Sequence, residues 1–256
     1  MKNIKKNPLE RKQGGTVKTL CVISMFCVFS SVLYAQTDGT WNYPVKPGSE
    51  QWRNFKSVDE MHHACQIPEI ILKQIDTESL VDICLNYPAP PLFPLFNTPQ
   101  QAFMEYYASF NGIRELFQRE DAGRSLLKRY AMLSFAEFDP AWALHQQGRF
   151  INHYKFVESI LSQPQIIASL GVEGRKALLQ EAIKKIDEKI SKTDLFSGFS
   201  LEINLWVIGC ILYHENKLAE GYDKENLQTA INTGMFVGID VNMLYQQSKI
   251  YANENE

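Results

Sequence analysis

The sequence predicts an all-α protein: a multi-helix array, packed as an orthogonal bundle or as a short α-α superhelix of helical hairpins. Three observations predict it. From residue 57 onward apolar residues recur at steps of three and four, and the alternating runs closed by Asn-Gly or Asp-Gly that mark strands are nearly absent. Helix starts are marked by cap residues followed three positions later by Glu or Gln. The helical segments are joined by short breaks, as antiparallel neighbours require.

Charge divides the chain before any helix begins. Lys and Arg number 26 against 29 Asp and Glu, a net charge of -3. Residues 1 to 35 hold six of those basic residues (Lys2, Lys5, Lys6, Arg11, Lys12, Lys18) and one acid (Glu10), which leaves 20 against 28, or -8, for residues 36 to 256. An acidic body of this size can bury a real core and does not offer the basic face that nucleic acid demands. Disordered and fibrous classes are excluded by its ordinary apolar content.

Residues 1–35 read as a secretory signal peptide. The basic start is followed by an apolar stretch over 19–35, then by Ala35 and polar Gln36-Thr-Asp-Gly39, which places cleavage after Ala35. No Lys or Arg follows the stretch until Lys46, so its flanks suit a cleaved segment better than a retained anchor. The body is then extracytoplasmic, in periplasm, at the cell surface or secreted, and carries no membrane span after cleavage. Without Cys21 and Cys27 it keeps three cysteines, Cys65, Cys84 and Cys210. Cys210 lies in an apolar run as a small hydrophobe. Cys65 and Cys84 either form a disulfide, closing a loop worth roughly 3 kcal/mol in the chain-entropy model, or are core thiols on neighbouring helices.

The elements follow in order. Residues 36–56 have no period and form an extended arm, whose Trp41, Tyr43 and Trp52 either pin it to the body or present a binding surface. Residues 57–256 form the helical domain. Ser57-Val-Asp-Glu60 is a capping box opening a short helix that ends before Pro68; Asp76 or Thr77 caps another that stops at Tyr87-Pro88. The two blocks resemble each other, which suggests a short helical repeat. Pro88-Ala-Pro-Pro-Leu-Phe-Pro94 cannot be an interior helix and reads as a polyproline-like connector. Thr98-Pro-Gln-Gln101 restarts helix, with a bend expected at Asn111-Gly112. Further helices are expected over 120–133, 139–147, 149–162, 172–192, 200–217, 223–233 and 240–252. The run Leu205–Tyr213 is too short for a bilayer and reads as a central buried helix. The alternating Lys and Glu between Glu181 and Lys192 read as a solvated face.

No phosphate loop, Gly-x-Ser-x-Gly elbow or Cys-x-x-Cys occurs, and His214-Glu215 lacks the second histidine of a zinc helix. His62 and His63 diverge by about 100° on a helix, so at most one can join Cys65 at a metal. No metal or cofactor is expected. His145 and His153, across Gly148, read as surface or helix-end residues. Trp142 and Trp206 fit either a core or a sugar groove.

Tyr43-Pro-Val-Lys-Pro-Gly48, Trp52, Ser57-Val-Asp-Glu-Met61, Cys65-Gln-Ile-Pro68, Cys84-Leu-Asn-Tyr-Pro88 and Phe110-Asn-Gly112 follow in a familiar order. In these motifs the sequence resembles a group of secreted all-helical proteins of gut Bacteroidetes, a likeness that covers most of residues 40 to 190. The proline-rich stretch 88–94 departs from the group's more helix-compatible pattern. The group has no established activity, so the resemblance implies an extracytoplasmic bacterial origin and no chemistry. Two function classes follow from the residues. One is a non-enzymatic binding or scaffold module for another envelope protein, a peptide or a glycan; the other is a hydrolase of envelope or dietary polymers using an Asp/Glu pair in a helical cleft. They differ in space: an enzyme needs two facing carboxylates with opposed pKa shifts, a binding module a groove without them.

Overall fold

The structure, a computed structural model, describes residues 41–191, 198–218 and 220–254. The signal segment, its cut after Ala35, Cys21, Cys27 and arm residues 36–40 lie outside the described residues. Trp41–Glu256 forms one unit. Among the described residues it consists of helices and contains no strand, in agreement with the sequence.

The first helices are α1 (Glu50–Asn54), α2 (Val58–Ala64), α3 (Glu69–Gln74) and α4 (Thr77–Leu85). α5 (Pro99–Ser109), α6 (Asn111–Leu116), α7 (Ala122–Met132) and α8 (Leu144–Leu161) follow, and α9 (Pro164–Ser169), α10 (Gly171–Ile190), α11 (Gly198–His214), α12 (Lys224–Thr233) and α13 (Val241–Asn253) complete the set. Single 3₁₀ turns stand at Phe93–Leu95 and Phe135–Glu137.

Local chemistry accounts for most starts. The Ser57 hydroxyl accepts from the Glu60 amide at 3.2 Å, and the Glu60 carboxylate accepts from the Lys56 amide at 2.7 Å, so the box closes one residue earlier than its usual return. Of the two candidate caps for α4 it is Asp76 that accepts, from the Ser79 amide at 2.9 Å. Thr98, Asp223 and Asp240 cap α5, α12 and α13 in the same way. Gly234, left-handed at φ 76°, ends α12.

Four expectations are corrected. The arm is not wholly extended: the Ser49 hydroxyl accepts from the Trp52 amide and starts α1, five residues being too few to show a period. The bend lies at Phe110, one residue before Asn111-Gly112. Asn111 instead locks α6 to the segment after α2, accepting from the Ile67 amide at 3.0 Å and donating to the Ile67 carbonyl at 2.7 Å. A Cβ on Gly112 would stand 2.4 Å from the Phe110 ring, so this glycine serves close packing. The helices expected at 139–147 and 149–162 are one helix, α8, because Gly148 stays helical, and α9 lies between it and α10.

The fourth correction concerns α10. Its lysines were expected in water, yet Lys185 and Lys189 are each 1% exposed. Lys189 Nζ donates to both oxygens of fully buried Glu158 on α8, at 2.7 and 2.8 Å. Tyr130 Oη donates to the same carboxylate at 2.9 Å, and Asn204 Nδ2 donates to Tyr130 Oη at 3.3 Å. Burial raises the Glu158 pKa and lowers that of Lys189, against their mutual attraction. Lys185 donates to the Leu133 carbonyl.

α11 is the hub. It packs against α8, α9, α10, α12 and α13, and α5 meets α12 across more than a hundred residues of sequence. A stack of repeats touches only sequential neighbours, so this is the packing of a bundle. The Leu205–Tyr213 run is buried along nearly its whole length, and the Trp206 indole donates to the Ile231 carbonyl at 2.7 Å.

Candidate functional site

The aromatic residues of the arm divide. Trp41 and Tyr43 are buried, Tyr43 Oη donating to the Ile83 carbonyl at 2.8 Å with its ring against Tyr87 and Phe110. They therefore pin the arm to the body through the aromatic floor around Tyr87 and Phe110, and both also line a depression of about 400 Å³ beside Asp82 and Asn86. Trp52 is half-buried, edge-on to Phe55, and keeps one side in a groove.

Cys65, Cys84 and Cys210 are buried free thiols, so the structure has core thiols where a disulfide between Cys65 and Cys84 is one expectation. Burial raises all three pKa values, that of Cys65 to about 11. His63 is exposed, and His62 is half-buried with its ring tilted beside that of Tyr87. Among the described residues no three His, Cys, Asp or Glu side chains are grouped to hold a metal.

What the structure brings together is a ridge and two grooves. After α4 the chain turns over the core as Tyr87-Pro-Ala-Pro-Pro-Leu-Phe-Pro-Leu95, held down by Tyr87, Pro91 and Phe93, with Leu92 57% and Leu95 76% exposed. Prolines 88, 90, 91 and 94 have no amide N–H to donate and hold the ridge stiff. Pro47 of the arm reaches the edge of both grooves.

One groove, of about 770 Å³, lies between the ridge and the first three turns of α8. Its α8 wall includes His145, Gly148, Arg149, Asn152 and His153, and Ile151, Lys155 and Phe156 also line it. Steps of three and four place the first five on one helical face. Among the described residues no Asp or Glu lines this groove. Burial lowers the His153 pKa below the ordinary 6.5, so its ring is neutral at pH 7 and offers one donor and one acceptor. Lys155 is also lowered by burial, and further by Lys189.

The other groove, of about 500 Å³, lies between the ridge and the face made by Trp52, Val58, Met61, His62 and Glu105. A shallower depression beyond it brings Asp59 and Glu105 near His62 and His63, with both carboxylates exposed. A general acid needs apolar surroundings that these do not have. The ridge thus separates a cationic side from an acidic one.

The sequence reading missed the α8 wall because it broke the helix at Gly148. A lone glycine is tolerated inside a helix, and carrying the period through it puts residues 145, 149 and 153 at steps of four. Trp142 packs on Phe138 and Phe150 away from the groove lining. Among the described residues no helix is long and apolar enough to cross a membrane. Compared with known proteins, the chain matches no family model, no curated protein and no solved structure.

Proposed function

We propose that this chain is an extracytoplasmic, non-enzymatic binding module, which takes its ligand in the groove between the proline ridge and α8. The observation that carries the reading is the groove itself. Its volume falls within the range of ligand sites, its ridge wall is stiff and apolar, and its helical wall offers a guanidinium, an amide and imidazoles. Those groups recognise; the hydrolase considered from the sequence, which uses an Asp/Glu pair, would need a carboxylate acid and base, and among the described residues no carboxylate lines the groove. The leader-like residues 1–35 and the resemblance to secreted bacterial proteins support the location.

The test is site-specific photo-crosslinking in cells, with a photoreactive amino acid at Leu92 on the ridge or at Ile250, which is 63% exposed on α13. A discrete adduct from Leu92 that Ile250 does not give is expected; equal adducts from both sites contradict the reading. The hydrolase alternative rests on Asp59 and Glu105. It would be supported by polymer cleavage that Glu105→Gln abolishes.

A further inference from the structure

We infer that the groove between the proline ridge and α8 binds an extended acidic segment of a partner protein, with a carboxylate on Arg149 and backbone passing over Gly148. This rests on the groove being the ligand site and names its ligand class. Three observations carry it. The first is charge. Arg149 is exposed on the groove wall and makes no ion pair among the described residues, in a body that is otherwise net negative. Several other surface cations do have acids, as Lys128 has Glu78, Arg129 has Asp82, Arg119 has Glu115 and Lys217 has Glu254, whereas the groove gives Arg149 none among the described residues. A guanidinium binds a carboxylate in a bidentate fork.

The second is Gly148. A glycine inside a helix is less favourable than alanine, so its use asks for a reason. Packing supplies none: a Cβ there would meet no atom within 4 Å. Gly112 shows the contrast, since a Cβ there would strike Phe110 and Ile67. Bare backbone facing a groove permits close approach by another chain.

The third is shape. From His145 to His153 the wall is about 12 Å long at the helical rise, the reach of about four extended residues. The ridge prolines at 88, 90, 91 and 94 cannot donate backbone hydrogen bonds, which disfavours strand addition along the ridge and leaves recognition to side chains: apolar contact with Leu92 and ionic contact across the groove. Asp59 and Glu105 repel such a segment from the far side of the ridge.

The experiment is fluorescence anisotropy with the full chain and a fluorescein-labelled octapeptide alternating Glu and Leu. The Gln/Leu octapeptide and polygalacturonate, an anionic glycan, serve as comparators. Saturable binding of the Glu/Leu peptide at least tenfold tighter than the Gln/Leu peptide is expected, weakening with salt. Arg149→Glu should lower affinity at least tenfold and Arg149→Lys less. Gly148→Ala should raise Tm by about 2 °C while weakening the peptide, a combination that a structural role for this glycine does not give. Equal binding of the two peptides overturns the inference, as does indifference to Arg149→Glu. Polygalacturonate binding more tightly than the Glu/Leu peptide, with the same Arg149 dependence, also overturns it in favour of a glycan. If the Leu92 crosslink persists while the acidic peptide fails, the groove stands and the ligand class falls.

Discussion

The two halves of α8 treat charge in opposite ways. In the last two turns Glu158 is fully buried and gripped by Lys189 and Tyr130, and Phe156, Val157, Ile160 and Leu161 of the same turns are buried with it. In the first turns Arg149 stands in an open groove beside a glycine with empty space around it. A buried ion pair spends its attraction on desolvation and is weak evidence for stability, but each member depends strongly on the other. An exposed cation with no acid beside it does little for the fold and remains available to a ligand. The same helix is thus an internal strut at one end and a wall of the proposed binding groove at the other.

The comparison can be broken most sharply at the strut. Lys189→Met strands the Glu158 carboxylate and should cost about 3–5 kcal/mol in urea unfolding. Adding Glu158→Leu with Tyr130→Phe should recover most of that loss, whereas independent effects would only add. A second test sets one glycine against another. Gly112→Ala forces a Cβ into the Phe110 ring and should cost about 1–3 kcal/mol, while Gly148→Ala should gain up to about 1 kcal/mol by helix propensity. At the open end Arg149→Glu should change stability by no more than about 0.5 kcal/mol.

A chemical probe reports on the sealed interior. Cys65, Cys84 and Cys210 are buried with raised pKa values, so thiolate is scarce at pH 8. A thiol reagent should leave all three unmodified in the native protein and label all three in denaturant. A 65–84 peptide pair 2 Da lighter under non-reducing conditions would show a disulfide instead.

What was legible in the sequence was local. Caps at Ser57, Asp76 and Thr98 act over three residues, and the apolar run of α11 announces its burial without reference to any partner. What was not legible depends on distant pairs. Lys189 looks solvated beside its sequence neighbours and becomes a core residue only because Glu158, 31 positions away, meets it. The groove joins residues 88–94 to residues 145–156, and no periodicity links a proline ridge to a helix far along the chain. Trp41 and Tyr43 were ambiguous for the same reason: an aromatic residue outside a periodic segment is anchor or bait according to the surface it meets, here the floor around Tyr87 and Phe110.

The central claim is that the open half of α8 serves a ligand and not the fold, and one variant tests it directly. Arg149→Glu carrying the photoreactive residue at Leu92 should unfold in urea with the parent protein yet lose the Leu92 adduct in cells. An undiminished adduct, or a loss of stability beyond about 1 kcal/mol, an effect too large for an exposed side chain without partners, would contradict it.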